Sequence, residues 1–92
     1  MEQEELRKIL AANIKLKRKL YGLTQEKLAE VSELSPQTIN DIEGCRSWVS
    51  DKSLIRIAKS LHTTPAELLL EERDSDMQKN TDISNLKRKL QI

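Results

Sequence analysis

An all-α fold is predicted from three features of this 92-residue sequence. The apolar residues are nearly all aliphatic, with no Phe, one Trp and one Tyr, and they recur at helical spacing. Only two Gly and two Pro interrupt the chain. Charged residues make up 34% of it, which suits short helices that each keep one solvated face. The length fits one small domain with a thin core. That domain is expected over residues 1–72, with a linker and tail over 73–92.

The first helix is predicted over residues 4–20, with Leu6, Ile9, Leu10, Ile14, Leu16, Leu20 and Tyr21 on one broad apolar arc. Glu2, Glu4 and Glu5 open it and Lys15, Lys17, Arg18 and Lys19 close it, which suits the helix dipole. Gly22 is its expected C-cap. Thr24 is a good N-cap for a second helix, about Gln25 to Ser32, with Leu28, Ala29 and Val31 inward. Glu33 and Leu34 form a turn, and Ser35-Pro36 starts a third helix to about Glu43, with Ile39 and Ile42 inward. The loop GCRSWVS follows, and Trp48 is expected to lie over the core there; a DNA-backbone or partner contact is its alternative. Ser50 caps a fourth helix, Asp51 to Leu61, with Leu54, Ile57, Ala58 and Leu61 buried. Thr64-Pro65-Ala66-Glu67 is a capping box that starts a fifth helix carrying Leu68, Leu69 and Leu70 to about Glu72. Beyond a polar stretch, Ile83, Leu86 and Leu90 regain a helical pattern in the tail. One such short stripe must dock or pair to be stable in water.

Several function classes find no support in the sequence. His62 and Cys45 are single and apart, so neither a metal site nor an activated nucleophile is indicated. There is no Gly-rich phosphate loop, so no cofactor is predicted and an enzyme is not expected. No apolar stretch approaches the roughly 20 residues that span a bilayer. The N-terminus is charged, so no leader is expected and the cytoplasm is the default location.

Two short helices joined by three or four residues cross steeply, and the second can enter a DNA major groove. The chain resembles the Cro/phage-repressor (XRE-like) family of helix-turn-helix DNA-binding domains. The resemblance is carried by Ile14 and Arg18, Gly22-Leu23-Thr24-Gln25, Leu28-Ala29, Ser35, Ile39 and Ile42-Glu43. Ser50, LIRIAKSL and TTPAELL extend it, so that it covers roughly residues 8–71. It implies a compact five-helix bundle that binds double-stranded DNA as a dimer on palindromic operators and regulates transcription. It also implies a buried ion pair between Arg18 and Glu43. Two departures stand out: Glu33 occupies a turn position where the family usually has Gly, and Cys45 sits where Gly is common.

The candidate DNA contacts fall into two groups. The resemblance gives Gln25 a phosphate role; Ser35 and Thr38, near a helix N-terminus, and Arg46 and Ser47 in the next loop are placed to join it. Ser35 has a pure capping role as its alternative. With Ile39 and Ile42 inward, Pro36, Gln37, Asn40 and Asp41 face outward. Gln37 and Asn40 can pair with adenine, Asp41 can accept from cytosine, and Pro36 can touch a thymine methyl; Asn40 can equally be solvated. By resemblance, Pro36, Gln37 and Asp41 occupy base-reading positions.

Charge opposes this reading. Between Gln25 and Glu43 there are five acidic residues and one basic, Lys27, although the whole chain is +1. Attraction to phosphates would rest on Arg46, Lys15, Lys17, Lys19 and helix dipoles. The acidic unit is the feature that favours an alternative, a repressor-like fold used to bind a protein partner of antitoxin type. The expected dimer contact is the fifth helix, through Leu68, Leu69 and Leu70, or the tail stripe Ile83, Leu86 and Leu90. No small-molecule ligand is predicted.

Overall fold

The computed structural model describes residues 1–71. Five helices run in order: α1 Gln3–Leu20, α2 Gln25–Ser32, α3 Pro36–Glu43, α4 Asp51–Ser60 and α5 Pro65–Leu68. No strand occurs among the described residues. Over the described residues the fold is all-α. The tail residues Ile83, Leu86 and Leu90 lie outside the described residues.

Four of the five helices start in the same way. The side-chain oxygens of Thr24, Ser35, Ser50 and Thr64 accept from the backbone N–H three residues on, at 3.0, 3.1, 3.1 and 3.2 Å. Each satisfies one orphan donor of its helix. Pro36 and Pro65 take the first-turn position, where no amide hydrogen is needed.

α1 to α4 also stop in the same way. The residue after each terminal turn is left-handed: Gly22 at φ 69°, Glu33 at 59°, Cys45 at 61° and His62 at 55°. The next N–H then reaches five residues back. Leu23 donates to the Arg18 carbonyl at 2.9 Å, Leu34 to Ala29 at 2.8 Å, Arg46 to Asp41 at 2.8 Å and Thr63 to Ala58 at 2.9 Å. These are Schellman ends. Only one of the four uses the residue type best suited to it.

The core is a cluster of Leu10, Ile14, Leu28, Ala29, Ile39, Ile42, Val49, Ile57, Ala58, Leu61 and Leu68. Every helix contributes to it. α2 packs on α3 and α4, while α1 packs on α3 and α5. α1 is tied to the far end by Asn13, which is buried. Its Nδ2 donates to the carbonyls of Leu68 and Leu70, both at 2.7 Å.

Several expectations are corrected. Leu16 and Leu20 are 55% and 75% exposed, because the inward face of α1 is narrow and centred on Leu10, Ala11, Asn13 and Ile14. Tyr21 is also exposed, its ring 5.2 Å from that of His62. Val31 faces solvent; Ser32, one helical turn after Leu28, takes the inward place and donates to the Leu28 carbonyl at 2.6 Å. Trp48 does not cover the core. It is exposed beside Gln3, Leu6 and Arg7, and its neighbour Val49 is buried instead. α5 ends at Leu68, short of Glu72. Leu68 is fully buried and so is removed from the candidate dimer surface; Leu69 is half-buried against the core and Leu70 is exposed.

Candidate nucleic-acid interface

The interface is built from the ion pair outward. Arg18 sits in the last turn of α1 and Glu43 at the end of α3. Nε of Arg18 donates to one Glu43 carboxylate oxygen at 2.7 Å and Nη2 to the other at 3.0 Å. Nη1 donates to the Leu23 carbonyl at 2.8 Å. The two side chains are only 11% and 2% exposed. A forked pair with every oxygen satisfied is the geometry that makes a buried charge tolerable. It fixes the end of α3 relative to α1 and to the start of α2.

The polar chain continues onto the surface. Gln25 stands at the first position of α2, and its Nε2 donates to Glu43 Oε1 at 3.1 Å. Gln25 Oε1 accepts from Asn40 Nδ2 at 3.1 Å. Arg46 reaches back over the end of α3. Its Nη2 donates to the Asn40 carbonyl at 2.9 Å and makes a close contact with Asn40 Oδ1. Its Nε donates to Asp41 Oδ1 at 3.1 Å, and Gln37 Nε2 donates to the same oxygen at 2.8 Å. One hydrogen-bonded path therefore runs from buried Arg18 to exposed Gln37, through Glu43, Gln25, Asn40, Arg46 and Asp41.

The structure brings most of the candidate residues together. Pro36, Gln37 and Asn40 are exposed and Asp41 is half-buried, all on the outer side of α3. Ser35 caps α3, and its hydroxyl lies 2.8 Å from that of Thr38. Arg46 is exposed, and Ser47 is half-buried outside the network. Gly44 is where Arg46 crosses: a Cβ there would lie 2.2 Å from Arg46 Nη1.

The charge of the helix-turn-helix is softened by pairing. Glu43 pairs with Arg18, Asp41 with Arg46, Glu30 with Lys27 at 3.2 Å and Glu33 with Arg56 at 4.0 Å. Four of its five carboxylates thus have a cation beside them. The Asp41–Arg46 pair was not expected from sequence. It spans five residues across a helix end, a separation that helical spacing does not bring together. Gly44 between them was the available signal. Among the described residues, no three His, Cys, Asp or Glu side chains are grouped to hold a metal ion. No helix among them is long and apolar enough to cross a membrane.

Known proteins share this fold. A helix-turn-helix family model (HTH_3) matches residues 14–68. The control protein C.SmaI of Serratia marcescens is 37% identical over 65 residues, covering 71% of this chain and 77% of the relative. The restriction-modification controller protein C.AhdI of Aeromonas hydrophila superposes with a TM-score of 0.65 at 27% identity, over 67% of this chain and 94% of that one. The clp gene regulator ClgR of Corynebacterium glutamicum superposes with a TM-score of 0.68 at 30% identity, over 92% of this chain and 89% of that one. The matched span holds α2, α3 and the Arg18–Glu43 pair, and the chain belongs to the XRE-type helix-turn-helix family of DNA-binding transcription regulators.

Proposed function

We propose that this regulator binds a palindromic operator as a homodimer and reads the major groove with α3. One observation carries the reading: Pro36, Gln37, Asn40 and Asp41 form an outward row on α3, held in place by the ion pair beneath them. Gln37 and Asn40 offer the donor–acceptor pair that matches adenine, Asp41 an acceptor for cytosine, and Pro36 an apolar contact for thymine. Gln25, Ser35, Thr38 and Ser47 border this row and hold the protein on phosphates. The single-copy face is small, so two half-sites supply the affinity and the specificity.

The dimer contact is proposed to use Leu69 and Leu70 or the tail. Asn13 holds the Leu70 carbonyl against α1 and leaves the Leu70 side chain 59% exposed. Deleting residues 73–92 and measuring mass in solution separates the two, since an unchanged dimer rules out the tail. The protein is proposed to act in the cytoplasm and without catalysis or a small-molecule ligand.

The relatives are named for different targets, a restriction-modification system and clp genes, so the operator is to be found by selection. Selection of bound duplexes from a random DNA pool is expected to return a two-fold symmetric consensus. No enrichment at low salt would refute the reading and favour a protein partner on the same surface.

A further inference from the structure

We propose that Arg46 is a specificity-positioning residue: it sets the orientation of Asn40 and Asp41 and so decides which bases α3 accepts. The inference rests on α3 reading bases. It reverses the role that a loop arginine beside a recognition helix would ordinarily be given, that of a phosphate anchor.

The geometry supports a clamp. One guanidinium holds three points on α3: the Asn40 carbonyl at 2.9 Å, Asn40 Oδ1, and Asp41 Oδ1 at 3.1 Å. The contact to Asn40 Oδ1 fixes which end of that amide faces Gln25, whose Oε1 accepts from Asn40 Nδ2 at 3.1 Å. The donor and acceptor ends of Asn40 are thus assigned by Arg46 and Gln25 together. An adenine contact uses both ends of an amide, so a fixed amide reads one base orientation and a free one reads either. The pair with Arg46 also neutralises Asp41, the carboxylate of the outward row. An unpaired carboxylate there would repel the phosphates on either side of the groove.

The backbone is shaped for this clamp. Cys45 is left-handed, which turns the chain back so that Arg46 N–H donates to the Asp41 carbonyl at 2.8 Å. The side chain then crosses Gly44 so closely that a Cβ there would overlap the guanidinium, and Arg46 would have to move off its present position to make room. Lysine cannot replace arginine here, because a single ammonium cannot fork across a carbonyl, an amide oxygen and a carboxylate at once.

The test is selection from a random duplex pool, run in parallel with a salt titration. The full-length protein is compared with Arg46→Lys, Arg46→Ala and Gly44→Ala. Asn40→Ala and Asp41→Ala mark the base pairs those side chains read. The clamp predicts that all three Arg46 and Gly44 variants relax preference at those same base pairs, by roughly tenfold. Arg46→Lys and Gly44→Ala should keep the wild-type salt slope. A phosphate anchor gives the opposite pattern: Arg46→Lys and Gly44→Ala keep the consensus, and Arg46→Ala weakens all sequences alike with the slope reduced by about one. That result overturns the clamp and leaves base reading by α3 intact. If Gln37→Ala, Asn40→Ala and Asp41→Ala all keep the wild-type consensus, base reading by α3 itself fails and the clamp falls with it.

Discussion

Glu33, Cys45 and His62 carry a conformation that suits glycine. Each sits at φ between 55° and 61° and closes a helix whose last carbonyls need it there. An L-residue in this region is strained, by about 1–2 kcal/mol. Glu33→Gly is therefore expected to raise stability by about 1 kcal/mol, which is a rise of about 4–8 °C in the thermal midpoint for a domain this small. An unchanged or lower midpoint would show that the turn does not strain Glu33. The position was legible in sequence, because Glu33 stood out where the family has Gly. The opposite change is expected at Arg18. Among the described residues, its guanidinium is the cation that pairs with the buried Glu43 carboxylate, so Arg18→Ala leaves that charge unpaired. The expected loss is about 3–5 kcal/mol in denaturant unfolding. A loss under about 1 kcal/mol, as for surface pairs, would mean that solvent reaches Glu43 readily.

At the scale of the elements, α5 is a single turn that could not persist alone. It is held by Leu68 in the core and by the two hydrogen bonds from Asn13. Asn13→Ala is expected to cost about 2 kcal/mol, since it leaves two carbonyls without their donor. Hydrogen exchange should show the loss first in α5, whereas equal loss across α2 and α3 would contradict a local staple. Helix positions and N-caps were legible because capping hydroxyls, prolines and apolar spacing all mark local structure. Which side of α1 faces inward was not. Its apolar residues cover so wide an arc that Leu16 and Leu20 read as core, and a polar residue, Asn13, holds a core place instead. The loop after α3 departs from the expectation for a related reason. Trp48 and Val49 are neighbours in a loop without regular periodicity; Val49 is buried and Trp48 exposed, so size alone favours the wrong one.

For the whole molecule, the proposed reading predicts weak electrostatic attraction to DNA, with specificity resting chiefly on a few side chains of α3. The chain is +1 overall, and Arg18, Lys27, Arg46 and Arg56 are engaged by carboxylates. Binding is expected to fall shallowly with salt, at a slope well below the value of about −10 that ten or so phosphate contacts give. A slope that steep would place the binding energy in the backbone and not in α3. The most direct test compares wild type and Gln37→Ala on every single-base variant of the selected operator half-site. The account predicts that wild type loses about 1–3 kcal/mol at the base pair facing Gln37 and that the variant no longer distinguishes bases there, while other positions keep their order. A Gln37→Ala protein that weakens on all variants equally, with discrimination unchanged at every position, would contradict it.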